Sequence, residues 1–250
     1  RQSAEEKAIG RLSSLKKTKE QKPHLIICVM GCLVGIGDPS PLKKQFPFVD
    51  VFLAPSDINS LIHFLLESKR NELNKNKNAT FAFGGSYNDF ILPTSMRHNA
   101  VTAFVPVVLG CSHACSYCVI PLRRGKETSR PPKEILADIN LLAKQGIQEV
   151  TLLGQIVDRY GMDNPSYPTL AELIRQIHHI DGIQRIRFLT SHPNWISDDL
   201  LDVLIDLPKV MPHFELPIQA GDNEILKQMR RGYTVEKYLS VVEKIRAHFP

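Results

Sequence analysis

Hydrophobic positions along the chain fall into two rhythms. Ala8, Leu12 and Leu15 recur at i, i+4 and i+7 and predict a helix over residues 3–15, its other faces carrying Arg11, Lys16, Lys17 and Lys19. Leu25-Ile26-Ile27-Cys28-Val29-Met30 is instead an unbroken apolar run rich in β-branched residues that stops at Gly31-Cys32, the pattern of a buried parallel strand entering a loop. Asp50-Val51-Phe52-Leu53 repeats it, and Leu61, Ile62 and Leu65 put a helix at about 58–66. These elements predict part of a small doubly wound α/β domain over residues 1–67. Residues 68–99 are polar and aperiodic, with several Lys and Asn and the pair Gly84-Gly85, and read as a linker.

From residue 100 to 250, strand-like and helix-like runs alternate. Strands are predicted at 102–109, 149–153, 185–189 and 213–216, and helices at 133–145, 170–179, 198–205 and 235–248. Pro131-Pro132 opens the first of these helices, Gly146 stops it, and Thr169 with Glu172 forms a capping box for the second. Four successive βα units predict a partial (β/α) barrel or an open α/β sheet, in which ligands gather at the carboxyl ends of the strands.

Composition narrows the class without choosing a function. With 43% apolar and 23% charged residues among 250, the chain matches a globular protein of one or two domains, and no apolar run approaches the roughly 20 residues needed to span a bilayer. Thirty-one Lys and Arg against twenty-six Asp and Glu give a net charge of +5, which permits a polyanionic partner and does not require one. Five cysteines, unevenly spaced, exclude a disulfide scaffold and point to a reducing compartment, the cytoplasm. Arg1 as first residue and Pro250 directly after an amphipathic helix lead to the expectation that the chain is cut from a longer one.

The chemistry concentrates in Gly110-Cys111-Ser112-His113-Ala114-Cys115-Ser116-Tyr117-Cys118, directly after the first strand of the second half. Three thiolates at CxxxCxxC spacing can take three corners of an iron–sulfur cluster and leave one iron open, whereas a structural zinc site is normally closed by four protein ligands. A non-catalytic zinc-stabilised RNA-binding module is the competing reading. No Walker-type phosphate loop is present, and His178 and His179, adjacent at a helix end, read as partners of the helix dipole rather than metal ligands.

The CxxxCxxC motif, with Tyr117 before its last cysteine, resembles that of the radical S-adenosylmethionine superfamily. The resemblance extends to Cys118-Val119-Ile120-Pro121, Arg124-Gly125, Ser129-Arg130-Pro131, Leu153-Gly154-Gln155, Thr190-Ser191-His192-Pro193, Leu216-Pro217 with Gln219, and Arg231-Gly232-Tyr233-Thr234, which together look like the methylthiotransferase family. Thr-Ser-His-Pro and Arg-Gly-Tyr-Thr are most similar to its tRNA branch, and the branch that modifies an aspartate of a ribosomal protein is less similar. The resemblance implies transfer of a methylthio group to C2 of an N6-modified adenosine beside the tRNA anticodon. It implies two [4Fe–4S] clusters in the full protein and S-adenosylmethionine as cofactor, with the cluster of Cys111, Cys115 and Cys118 fully encoded here.

By the same resemblance, Val29-Met30-Gly31-Cys32 carries the last of three ligands to the second cluster, the other two being expected upstream of Arg1, while Cys28 reads as an ordinary buried cysteine. Tyr117, Gln155, Ser191, His192 and Gln219 are expected to face the cofactor or substrate, His192 titrating near neutral pH, and Arg123, Arg124 and Arg130 to meet phosphates. The partners implied are tRNA and an electron donor such as flavodoxin or ferredoxin with its reductase, with no membrane and a monomeric protein. Ala220, Glu215 and Ile156 depart from the family's pattern, at positions of the expected substrate pocket.

Overall fold

The computed structural model describes residues 2–55, 57–75 and 100–249. It falls into two compact units, one formed by the described residues before position 88 together with Leu122–Gly125, the other by the rest. Most of the expected linker lies outside the described residues.

In the first unit, helix α1 (Gln2–Gln21) is longer than the sequence predicts. Its buried residue is Leu12, joined in the core by Ile9 and Leu15, while Ala8 of the expected stripe is exposed. Strands β1 (Cys28–Met30) and β2 (Val51–Leu53) pair in parallel, Cys28 opposite Val51 and Met30 opposite Leu53, with the short helix α2 (Ser40–Gln45) between them and α3 (Ile58–Lys75) after them. Leu12, Ile27, Val34, Phe46, Val49 and Phe52 form the core, and Asp50 ties its edges by accepting from Lys19 Nζ at 2.9 Å and from the backbone N–H of Ile27 at 2.7 Å. Cys28 is half-buried rather than interior, and burial pushes its thiol pKa up.

In the second unit, β3 (Thr102–Pro106), β6 (Glu149–Leu153) and β7 (Arg185–Phe188) form a parallel sheet in the order β3-β6-β7. Helices α5 (Pro132–Lys144), α6 (Leu170–His178) and α7 (Asp198–Asp206) cover it through Ile135, Ile139, Leu173, Ile177, Leu200 and Leu204. The Thr169 capping box forms in full, the hydroxyl accepting from Glu172 N–H and the Glu172 carboxylate accepting from Thr169 N–H. Gly146 ends α5 at φ 89°, a left-handed conformation that favours glycine.

Two predicted strands differ. The first breaks after Pro106, and β4 (Val108–Leu109) turns away to pair antiparallel with β5 (Thr128–Ser129), just beyond α4 (Ile120–Arg124). Residues 213–216 form no strand: the chain touches β7 at one bridge, Ile186 with Val210, and then continues without regular secondary structure. Pro212 and Pro217 bracket that run and lack the N–H groups a ladder needs. Helix α8 (Asn223–Gln228), not predicted, precedes α9 (Val235–His248).

Two buried polar ties lock the strand ends. Arg130 is 4% exposed, its Nη2 pairing with Asp138 at 2.7 Å and its Nη1 donating to the carbonyl of Pro106 at 2.9 Å. Asp158, in the 3₁₀ turn Val157–Arg159 after β6, accepts from Ser191 Oγ at 2.9 Å and from the backbone N–H of His192 at 2.6 Å, joining the ends of β6 and β7. Burial raises the Asp158 carboxyl from its ordinary 3.8 to about 7.

Removing Arg130 leaves Asp138 buried without its partner, so Arg130→Met should cost about 3–5 kcal/mol in denaturant unfolding; a loss within about 0.5 kcal/mol would contradict the tie. For Asp158, the folded chain keeps a proton up to about pH 7 that the unfolded chain releases near 3.8, so its contribution to stability falls as pH rises through that window. The slope is at most about 1.4 kcal/mol per pH unit. Unfolding of Asp158→Asn followed from pH 4 to 8 should lack this component; identical slopes in both proteins would show that the carboxyl does not titrate there.

Candidate functional site

The site is built from turns at the carboxyl ends of β3, β6 and β7. Gly110 at φ 66° swings the chain out of β4 into the cysteine loop. That loop is held at both ends: Ser112 Oγ accepts from Glu127 N–H at 3.0 Å, and Ser116 is bound to the carboxyl end of α8, its Oγ donating to the carbonyl of Gln228 at 2.8 Å and its N–H to that of Met229 at 3.2 Å. Across from it, Gly154 lets β6 turn where a Cβ would meet Val157 and Val108 at 3.1 and 3.2 Å.

Cys111, Cys115 and Cys118 line one cavity of about 210 Å³ with Gln155, Ser191, His192, Gln219 and Arg231. Cys111 is buried, which pushes its thiol pKa up, and its sulfur accepts from the backbone N–H of His113 at 3.4 Å. The Cys115 sulfur accepts from Arg231 Nη1 at 3.0 Å. Tyr117 Oη donates to Gln219 Oε1 at 2.8 Å, which places its ring at the rim, 45% exposed. Thr190 and Gln219, both on the cavity wall, hold left-handed φ values of 69° and 71°; two such non-glycine outliers in one pocket mark a site whose surroundings enforce them.

The donor set suits an iron–sulfur cluster better than a single ion. Among the described residues no three His, Cys, Asp or Glu side chains converge as they would around one metal ion. Three thiols on a cavity wall do have the open fourth corner that a cluster with a small-molecule ligand needs. His192, 1% exposed and also lining the cavity, has its buried Nε2 without a hydrogen-bond partner among the described residues.

The sequence-predicted residues divide. Cys111, Cys115, Cys118, Tyr117, Gln155, Ser191, His192 and Gln219 all line the cavity. His192 is no neutral-pH titrator, because burial, with Arg231, His113 and Arg159 nearby, lowers its pKa to about 3 and keeps the ring uncharged. Arg130 is buried in its pair with Asp138 and so is not the phosphate contact expected of it. Arg123 and Arg124 belong to the first unit, Arg123 Nη1 donating to the carbonyl of Leu33 at 3.1 Å and Arg124 Nε to the sulfur of exposed Cys32 at 3.3 Å.

Several functional residues escape sequence reasoning. The rings of His113, His192, Trp195 and Tyr233 pack together, His192 lying 4.5 Å from Trp195 and 5.2 Å from Tyr233. Arg159 covers Trp195 at 4.5 Å and pairs with buried Glu127 at 2.7 Å. Arg231 lies in the Arg-Gly-Tyr-Thr segment, and its one sequence signal is the pair of adjacent arginines before Gly232.

The Radical SAM superfamily profile matches residues 105–250. Among curated proteins, the tRNA-2-methylthio-N(6)-dimethylallyladenosine synthases of Herpetosiphon aurantiacus and Roseiflexus sp. are 43% and 41% identical over all of this chain, which covers 54% and 50% of their lengths. The chain thus spans about half the length of the curated relatives it matches. Among solved structures, the cobalamin-dependent S-adenosylmethionine radical enzyme OxsB with aqua-cobalamin and S-adenosylmethionine bound is 13% identical with a TM-score of 0.64, over 96% of this chain and 38% of that one, a likeness of fold. With the profile covering more than half of its residues and the three thiols of that profile's motif on one cavity wall, the chain belongs to the Radical SAM superfamily.

Proposed function

We propose that this chain is the cluster-bearing part of a methylthiotransferase acting on tRNA, adding a methylthio group to C2 of an N6-modified adenosine beside the anticodon. The observation that carries the reading is the juxtaposition of Cys111, Cys115 and Cys118 on one cavity wall, in a chain whose whole length matches the two named synthases at over 40% identity. Cys111, Cys115 and Cys118 would hold a [4Fe–4S] cluster through their thiolates. A cluster held there together with S-adenosylmethionine would supply one-electron, radical-generating chemistry. Exposed Cys32, with Arg124 beside its sulfur, would give one ligand to a second cluster.

The protein's own residues set the conditions for that chemistry. Gln155 and Gln219 offer neutral amide groups to the cavity, suited to orienting a cofactor or base edge without adding charge. Tyr117, tied to Gln219, forms part of the rim. Neutral His192, packed among Trp195, His113 and Tyr233, keeps its part of the wall uncharged and proton-inactive at neutral pH, and the packed rings limit water beside a reactive species. The substrate is tRNA, the electron comes from a flavodoxin- or ferredoxin-type donor, and the reaction takes place in the cytoplasm.

Anaerobic reconstitution should load the chain with about four iron and four sulfide. Its reduced EPR signal should shift with S-adenosylmethionine and vanish in the Cys111→Ala, Cys115→Ala, Cys118→Ala triple variant, while Cys32→Ala retains it. Zinc at about one equivalent without iron would sink the reading. For the substrate, disrupting the gene that encodes this chain should remove the 2-methylthio group from N6-modified adenosine in tRNA digests analysed by mass spectrometry. Unchanged tRNA alongside an S-adenosylmethionine-responsive cluster would move the activity to another acceptor.

A further inference from the structure

Three arginines of the second unit are largely withdrawn from water, and two have a carboxylate to answer their charge. Arg130 pairs with Asp138, and Arg159 with Glu127, each at 2.7 Å. Arg231, only 7% exposed, forms no ion pair with a carboxylate among the described residues. A guanidinium does not lose its proton, so a buried one requires a counter-charge or strong acceptors close by. Arg231 has the sulfur of Cys115 at 3.0 Å and the hydroxyl of Tyr117 at 3.4 Å, both from Nη1, with its Cζ 5.7 Å from the Tyr233 ring. The backbone delivers it there under constraint, since Arg230 immediately before it holds a left-handed φ of 56° and Gly232 after it a φ of 71°.

We propose that Arg231 is a positioning residue for the cluster site: its guanidinium donates an N–H to the Cys115 thiolate and supplies the countercharge for the ligated cluster, holding the reduction potential above that of the same cluster without it. A reduced cluster carries one more negative charge than the oxidised one. A fixed cation and an N–H···S bond at one ligand therefore stabilise the reduced form more, which makes the electron easier to deliver. Arg231 also links the two parts of the site, because Tyr117 Oη, which accepts from its Nη1, donates in turn to Gln219. This inference rests on the proposal that the three thiols hold a cluster.

The test is a dye-mediated redox titration, followed by EPR without S-adenosylmethionine, of the reconstituted unmutated chain, Arg231→Met and Arg231→Lys. Methionine keeps the apolar stem and removes both charge and donor, while lysine keeps charge and donor without the planar fork. The expected result is full iron and sulfide in all three, a midpoint potential displaced to more negative values in Arg231→Met, and an intermediate value in Arg231→Lys. Full iron with an unmoved potential in both variants would overturn the proposal. So would loss of iron, or of the folded state by circular dichroism, in both variants, which would make Arg231 a residue of cluster retention or of structure. A potential that stays put while the spectral response to S-adenosylmethionine disappears would also overturn it, giving the guanidinium to the cofactor's carboxylate. Failure of the underlying cluster reading is distinguishable, because then the unmutated chain itself would take up no iron.

Discussion

Parallel pairing of β3, β6 and β7 sends three strand ends to the same edge of one sheet, and the chemistry of the second unit depends on that pairing. A parallel sheet needs helices on its faces to complete each crossover, so the apolar sides of α5, α6 and α7 are committed to the core and the polar, irregular turns collect at the strand ends. The cysteine loop, Gly154-Gln155 and Ser191-His192 are separated by tens of residues in the chain and meet only there. Asp158 fastens two of those turns to each other through the hydroxyl of Ser191 and the N–H of His192. The cavity's wall is therefore as rigid as the strand ends that carry it.

Charge inside the second unit is arranged by the same economy of partners. Arg130 and Arg159 are neutralised by Asp138 and Glu127 and act as ties between segments. Arg231 differs in having sulfur and phenol oxygen as acceptors, on the wall that carries the three cysteines. Its neighbours His113 and His192 are kept uncharged by burial and by the arginines themselves, so the guanidinium is the dominant positive group on that wall. At a site proposed to hold a redox cluster, such a fixed charge would not have to reorganise as an electron arrives.

Legibility from sequence followed how local each signal is. The capping box at Thr169, the glycine stop at Gly146 and the 3.6-residue periodicity of α5, α6, α7 and α9 are short-range effects, and they appear where the residues place them. The strand expected at 213–216 does not form because its apolar character says nothing about whether a partner ladder is in reach, and Pro212 and Pro217 at its borders offer no N–H through which a ladder could extend. Arg130 departs from expectation for a related reason: in a dense basic stretch every arginine looks solvent-facing until the fold sets Asp138 against one of them.

The amino-acid sequence alone determined the α/β alternation, the spacing of three thiols on one loop and hence the class of metal group they suit, because spacing along a few residues constrains geometry directly. Which of the remaining polar residues share a wall with those thiols, that His192 stays neutral, and that Arg231 rather than Arg130 stands beside a cysteine sulfur were decided only by the tertiary structure. Burial and the nearest acceptor are set by the fold, which brings Arg231 to Cys115 across more than a hundred positions, and no local pattern encodes that approach.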